Sequence, residues 1–99
     1  MYRDHKVNVV VPAFNEELLI GETLLGMPDF VDEIIVIDDC STDKTNEIIR
    51  KVWREDERVK LIVHEENLGV GQSLIDGYLA SLDTDGDVTA VMAGDNQMD

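Results

Sequence analysis

The chain has 99 residues, room for one domain at most, and 43% of them are hydrophobic, enough for a packed core and too many for a disordered segment. Its 22 acids against 8 bases give a formal charge of −14, which excludes a basic phosphate-binding surface, hence nucleic acid as a partner, and charge-driven adsorption to an anionic membrane. The single cysteine, Cys40, rules out an internal disulfide and fits a reduced, cytoplasmic setting; no apolar run of about 18 residues is present to span a membrane, and residues 1–6 lack the apolar core of a signal peptide.

Residues 7–11, Val-Asn-Val-Val-Val, are a β-branched run that predicts a first strand, with Pro12, Ala13, Phe14, Asn15 and Glu16 as the loop after it. Asn15 is a good helix cap, Glu16 and Glu17 suit a helix start, and Ile20, Leu24 and Met27 recur at helical spacing until Gly26 and Pro28 end the pattern. A second strand is predicted over residues 33–37. Ile48, Ile49, Val52 and Trp53 then form a second helical stripe, and residues 59–63 a third strand. After the turn signal Asn67-Leu68-Gly69-Val70-Gly71, Val70, Leu74 and Tyr78 share a face of a third helix, beside Ile75, Leu79 and Leu82; Trp53 and Tyr78 read as core. Residues 88–92 are the fourth strand, and residues 93–99 the loop after it. Strands alternating with helices of these lengths imply an α/β fold with a parallel sheet. The fourth strand looks buried, so its position at the chain's end reads as a truncated chain or the first half of a longer domain.

The chain is organised around residues 36–43, Val-Ile-Asp-Asp-Cys-Ser-Thr-Asp, where an apolar strand runs into a pair of carboxylates. Adjacent acids repel, so Asp38 and Asp39 make most sense where something neutralises or hydrogen-bonds them. The plainer reading is an acidic turn in which Ser41, Thr42 or Asp43 caps the next helix. The polar clusters decide between them. Each one, around Asn15, Asp38, Asn67 and Asp95, directly follows a strand, and in a parallel sheet all four strand ends share one edge, where open α/β sheets hold ligands. Asp95 and Gln97, two apart, can turn oxygens to one side and so suit a hard cation such as Mg²⁺ or Mn²⁺, or they are a solvated turn.

Familiar motifs fail. Gly69-Val70-Gly71 begins a dinucleotide fingerprint, but Leu74 stands at its last position and it follows the third strand; no P-loop is present. A receiver-like acidic pair would follow the first strand. His5 and His64 are isolated and read as exposed or strand-end residues, and Cys40 as a small loop residue with no His near in sequence.

Four motifs in order, Val10-Val11-Pro12-Ala13-Phe14-Asn15-Glu16, Ile37-Asp38-Asp39-Cys40-Ser41-Thr42-Asp43, Asn67-Leu68-Gly69-Val70-Gly71 and Met92-Ala93-Gly94-Asp95-Asn96-Gln97, resemble the N-terminal, nucleotide-binding half of family 2 glycosyltransferases, above all the polyprenyl-phosphate sugar transferases. The resemblance implies a Rossmann-like three-layer α/β/α domain of the GT-A type, strand order 3-2-1-4, covering residues 1–99 and truncated after the metal motif. It implies a UDP- or GDP-sugar donor bound through Pro12, Ala13, Asn15, Glu16, Asp38, Asp39, Asn67, Gly69, Ala93 and Asp95. Asp95 and Gln97 would hold Mg²⁺ or Mn²⁺, although Ala93 replaces an acid common in the family. Gly69 and Gly71 would allow close backbone approach. The implied reaction is inverting transfer, with a lipid phosphate as one acceptor, at the cytoplasmic face of a membrane; the catalytic base would lie beyond Asp99, leaving this stretch alone inactive. A nucleotidyltransferase-like domain would want a glycine-rich, basic loop after the first strand; a non-catalytic α/β module would use the acidic face to bind a protein.

Overall fold

The computed structural model describes residues 2–82 and 88–92. In chain order the elements are β1 (Val7–Ala13), α1 (Ile20–Leu25), β2 (Glu33–Asp38), α2 (Thr45–Glu55), β3 (Val59–Val63), α3 (Val70–Leu82) and β4 (Val88–Val91). The four strands form one sheet in the order β3-β2-β1-β4, and every pairing is parallel, as the alternation of strands and helices implies.

Strand alternation divides the core in two. Val7, Val9, Val11 and Ala13 of β1, with Ile34 and Val36 of β2, face α1 and α2 and pack with Ile20, Leu24, Met27, Val31, Ile49 and Val52. On the other face Val10, Ile35 and Ile37 pack with Ile62 and with Ala80 of α3. The result is a three-layer α/β/α arrangement. Far from the strand C-termini, Arg58 donates from Nη1 to the carbonyls of Pro28 (2.9 Å) and Val31 (3.1 Å) while Asp56 holds its Nε and Nη2, closing the opposite edge.

Several expectations are corrected. β1 continues through Pro12 and Ala13, which the sequence placed in a loop. Proline fits there because of the ladder's geometry. The Met92 amide donates to the Val10 carbonyl (2.9 Å) and the Asp39 amide to that of Ala13 (2.9 Å), so alternate residues of β1 face opposite neighbours. Position 12 faces the β4 side one step beyond that bond, past the described end of the pairing at Val10 and Val91, where proline's lack of an N–H is tolerated.

Asn15 does not cap α1. It lies at φ +52°, in the left-handed region that Asn tolerates, and α1 starts only at Ile20 with Leu19 at its cap and no side-chain capping bond. Nor is Trp53 core, being 47% exposed on the outer face of α2, where only Thr45, Ile49 and Val52 are buried.

The buried face of α3 is also not the apolar one. Ser73, Gly77 and Ser81 face the sheet, while Val70, Ile75, Tyr78, Leu79 and Leu82 are exposed. Close approach explains the choice. A Cβ on Gly77 would collide with Val10 and come within 2.7 Å of Ile37 Cδ1, so only a small-residue stripe lets the helix sit this low. β4, expected to be buried, is a sheet edge with Thr89, Ala90 and Val91 exposed.

Candidate functional site

The direction of the connections reverses at β1: β2 and β3 lie to one side of it, β4 to the other. In open α/β sheets the crevice beyond the strand C-termini at such a reversal is where ligands bind. The loops after β1, β2 and β3 meet along this edge and are bonded to one another.

The first loop is fastened to the second. The Asn15 amide donates to Ser41 Oγ (3.0 Å), and Asn15 Oδ1 accepts from the Thr42 amide (2.8 Å) and hydroxyl (3.3 Å). The Glu16 amide donates to Thr45 Oγ1 (2.7 Å) and the Glu17 amide to Asp43 Oδ2 (3.3 Å). Asp43 also accepts the Thr45 amide at the start of α2 (2.9 Å), but Lys44 stands at the cap of α2 with no side-chain capping bond, so none of Ser41, Thr42 and Asp43 is its cap. Burial alone would raise the Asp43 carboxyl, but the Thr45 hydroxyl and the amides of Thr45 and Glu17 bring it below its ordinary value.

The acidic pair is buried, and its two carboxylates part company. Asp38 accepts from the Ser41 amide (3.1 Å) and from Asn46 Nδ2 of α2 (2.9 Å). Asp39, 4% exposed, turns the other way. Its Oδ1 receives His64 Nδ1 (2.9 Å) and the Leu68 amide (2.8 Å), and its Oδ2 the Gly69 amide (2.8 Å). A carboxylate offers about four lone-pair positions, so among the described residues Asp39 keeps one open and Asp38 two. Burial pushes the Asp39 carboxyl up, yet the His64 ring and the two amides outweigh it and hold the group below its ordinary value.

His64, read as isolated, is therefore a partner of Asp39, while Asp38 is held by Ser41 and Asn46. It is buried, and its Nε2 meets Asp76 Oδ2 of α3 at 2.6 Å. Sheet register carried the missing signal: Asp38 pairs with Val63, so one step outward sets Asp39 beside His64. Spacing in the chain, 25 residues, hides it.

Asn67 accepts the Gly69 amide (3.1 Å) and shapes the third loop. Gly69 stands at φ +90°, whereas a Cβ at Gly69 or Gly71 would meet nothing within 4 Å. Backbone conformation, not close packing within the chain, calls for glycine at Gly69. Cys40 occupies the left-handed region too (φ +59°), with its thiol on the Glu65 carbonyl (3.5 Å); such strain in a non-glycine residue gathers at functional edges. Pro12 and Ala13 end β1 at this edge. Ala93, Asp95 and Gln97 lie outside the described residues; β4 delivers the chain toward the same edge at Met92. Among the described residues no group of three or more His, Cys, Asp or Glu side chains could hold a metal ion, and no helix is long and apolar enough to cross a membrane.

The architecture is that of a Rossmann-like α/β/α domain with its polar loops gathered at the strand C-termini. The model of the glycosyl transferase family 2 matches residues 8–99, and the chain belongs to that family. It is 44% identical over 78 residues to the uncharacterized protein MJ1222 of Methanocaldococcus jannaschii, covering 78% of this chain and 30% of that one. It is 28% identical over 107 aligned positions to the UDP-N-acetylglucosamine–dolichyl-phosphate N-acetylglucosaminyltransferase of Methanococcus voltae, covering 95% and 43%. Among solved structures, the mannosyltransferase PcManGT of Pyrobaculum calidifontis, in complex with GDP-Man and Mn²⁺, superposes with a TM-score of 0.79 at 26% identity, over 95% of this chain and 28% of that chain. The chain thus spans less than half the length of each of these relatives, and the GT-A type of fold expected from the motifs is the one found.

Proposed function

We propose that residues 1–99 are the nucleotide-sugar-binding part of an inverting glycosyltransferase of the GT-A type. The observation that carries this reading is the bonding of three loops into one polar edge beside the reversal at β1, with open carboxylate lone pairs on Asp38 and Asp39. A ring N–H of uracil or guanine is a fitting donor to such a carboxylate. Pro12, Ala13, Asn15, Glu16, Asn67, Gly69 and Ala93 complete the proposed nucleotide contacts. The donor is a UDP- or GDP-sugar; the M. voltae relative is named for the first base and PcManGT was solved with the second.

A divalent cation, Mg²⁺ or Mn²⁺, fits the chemistry of Asp95 and Gln97, a carboxylate and an amide oxygen suited to a hard ion. When bound it would neutralise charge on the departing nucleoside diphosphate. A polyprenyl phosphate is the proposed acceptor, on the strength of the dolichyl-phosphate relative, with the protein at the cytoplasmic face of a membrane.

Calorimetric titration with UDP and GDP, each with Mn²⁺, with Mg²⁺ and with chelator, tests the reading. Binding that strengthens with the cation is expected, and Asp95→Asn should lose that increment while keeping weak cation-free binding. Failure of both nucleotides to bind with either cation would overturn it.

A further inference from the structure

The site contains a buried base that no proposed nucleotide contact accounts for. His64 is 8% exposed and has a carboxylate on each ring nitrogen: Asp39 at 2.9 Å from Nδ1 and Asp76 at 2.6 Å from Nε2. A neutral imidazole carries one N–H and can donate to only one of them, leaving lone pairs opposed at the other; an imidazolium donates to both. Asp39 in turn receives the amides of Leu68 and Gly69, so the ring, the carboxylate and the third loop form one connected cluster. Asp76 is fixed from its own helix by Gln72 Nε2 (2.9 Å).

We propose that His64, clasped by Asp76, is a positioning residue for nucleotide recognition: as an imidazolium it fixes the Asp39 carboxylate and the Leu68–Gly69 backbone in the arrangement that receives the nucleotide. The proposal rests on the nucleotide-binding reading of this edge. Loss of the proton does two things in the same direction. It sets a lone pair against one carboxylate, and it leaves the edge one unit more negative toward an anionic nucleoside diphosphate. Affinity therefore falls as pH rises through the titration of this one ring.

Among the described residues, the charged groups facing the ring are Asp39, from the loop after β2, and Asp76, from α3. The Asp38 carboxylate is turned away onto Asn46, the Cys40 thiol lies on the Glu65 carbonyl, and Glu65 and Glu66 of the ring's own loop are exposed. β1 and β4 bring no titratable side chain in Val7–Ala13 and Val88–Val91.

The test is titration of the full chain with GDP and with UDP, in Mn²⁺, from about pH 5.5 to about pH 8.5, with the His64 ring followed by NMR. Three proteins are compared: the parent, Asp76→Asn and His64→Asn. The side-chain amide of Asn can replace Nδ1 as a donor to Asp39 but does not titrate. The nucleotide's own protonation is common to all three and cancels in their affinity ratios. The parent should weaken by about tenfold across the His64 transition, the loss of one charge-assisted contact. Asp76→Asn, at a half-exposed position, should move the ring's transition and the affinity transition to lower pH together. His64→Asn should bind without that transition. A ring transition that moves in Asp76→Asn while the affinity profile stays in place would overturn the positioning role and leave the nucleotide-binding reading standing. Absence of binding by the parent itself would overturn both.

Discussion

Gly77 of α3 rests directly on Val10 of β1, with no room between them for a methyl group. This contact sets the height of α3 above the sheet, and with it the distance from which Asp76, the preceding residue, reaches His64.

Gly77→Ala should therefore destabilise. Alanine is the better helix former by about 1 kcal/mol, but overpacking a tight contact costs about 1–3 kcal/mol and the helix would have to lift from two side chains at once. Gly71→Ala, in the same helix with nothing within 4 Å of its Cβ, is the control and should be neutral or stabilising by at most about 1 kcal/mol. Urea unfolding of both variants distinguishes contact from helix propensity; equal midpoints would contradict the packing account.

Asp39→Asn should act on stability as well as on binding. Both of its oxygens receive donors, so in either orientation the new amide NH₂ faces an N–H. An unsatisfied buried group of this kind costs about 1–3 kcal/mol. The same change should weaken nucleotide binding about ten- to a hundredfold by removing a charge-assisted bond. Unfolding and calorimetry on one preparation check both; an unperturbed unfolding midpoint would mean the third loop does not depend on this carboxylate.

Stability should also fall at both ends of the pH scale around this cluster. The Asp39 contact, aided by Asp76, raises the His64 ring above its ordinary 6.5 against the opposing effect of burial. That contribution is fully present below the unfolded value and is lost as pH rises through the raised folded one. Asp39 is lowered as described, and Asp76 is lowered by Gln72 first and His64 second, so their contributions are present above the ordinary carboxylate value of 3.8 and are lost as pH falls through the lowered ones. The plateau lies between. In His64→Asn the alkaline decline assigned to the ring should vanish from urea midpoints measured across pH; its persistence would assign the decline to another group.

The strands were legible because a parallel strand shows itself as a β-branched run regardless of its neighbours, and the strand ends then located the polar edge around Asp38 and Asp39. The order of β3, β2, β1 and β4 came from the resemblance of four motifs, not from periodicity. What stayed hidden depends on contacts across the sheet. Nothing local tells that His64 adjoins Asp39, since only the pairing of β2 with β3 brings them together. Asn15 looked like a cap because Asn commonly is one; here its side chain serves Thr42 in the next loop instead. The α3 stripe misled because apolar periodicity marks burial only when size permits: Gly77 sits too close to Val10 and Ile37 for a larger side chain, and the small residues Ser73 and Ser81 share its buried face while Tyr78 and Leu79 are exposed.

Pro12 bears on the crevice itself. Its nitrogen faces the β4 side of the sheet and has no hydrogen to give. A strand running alongside β1 gains one bond fewer at that rung than at any other, whatever its own sequence. Among the described residues the register of β1 with β4 runs to Val10 and Val91, two positions before this proline. The scaffold itself therefore lacks a donor at the rung of β1 nearest the ligand edge.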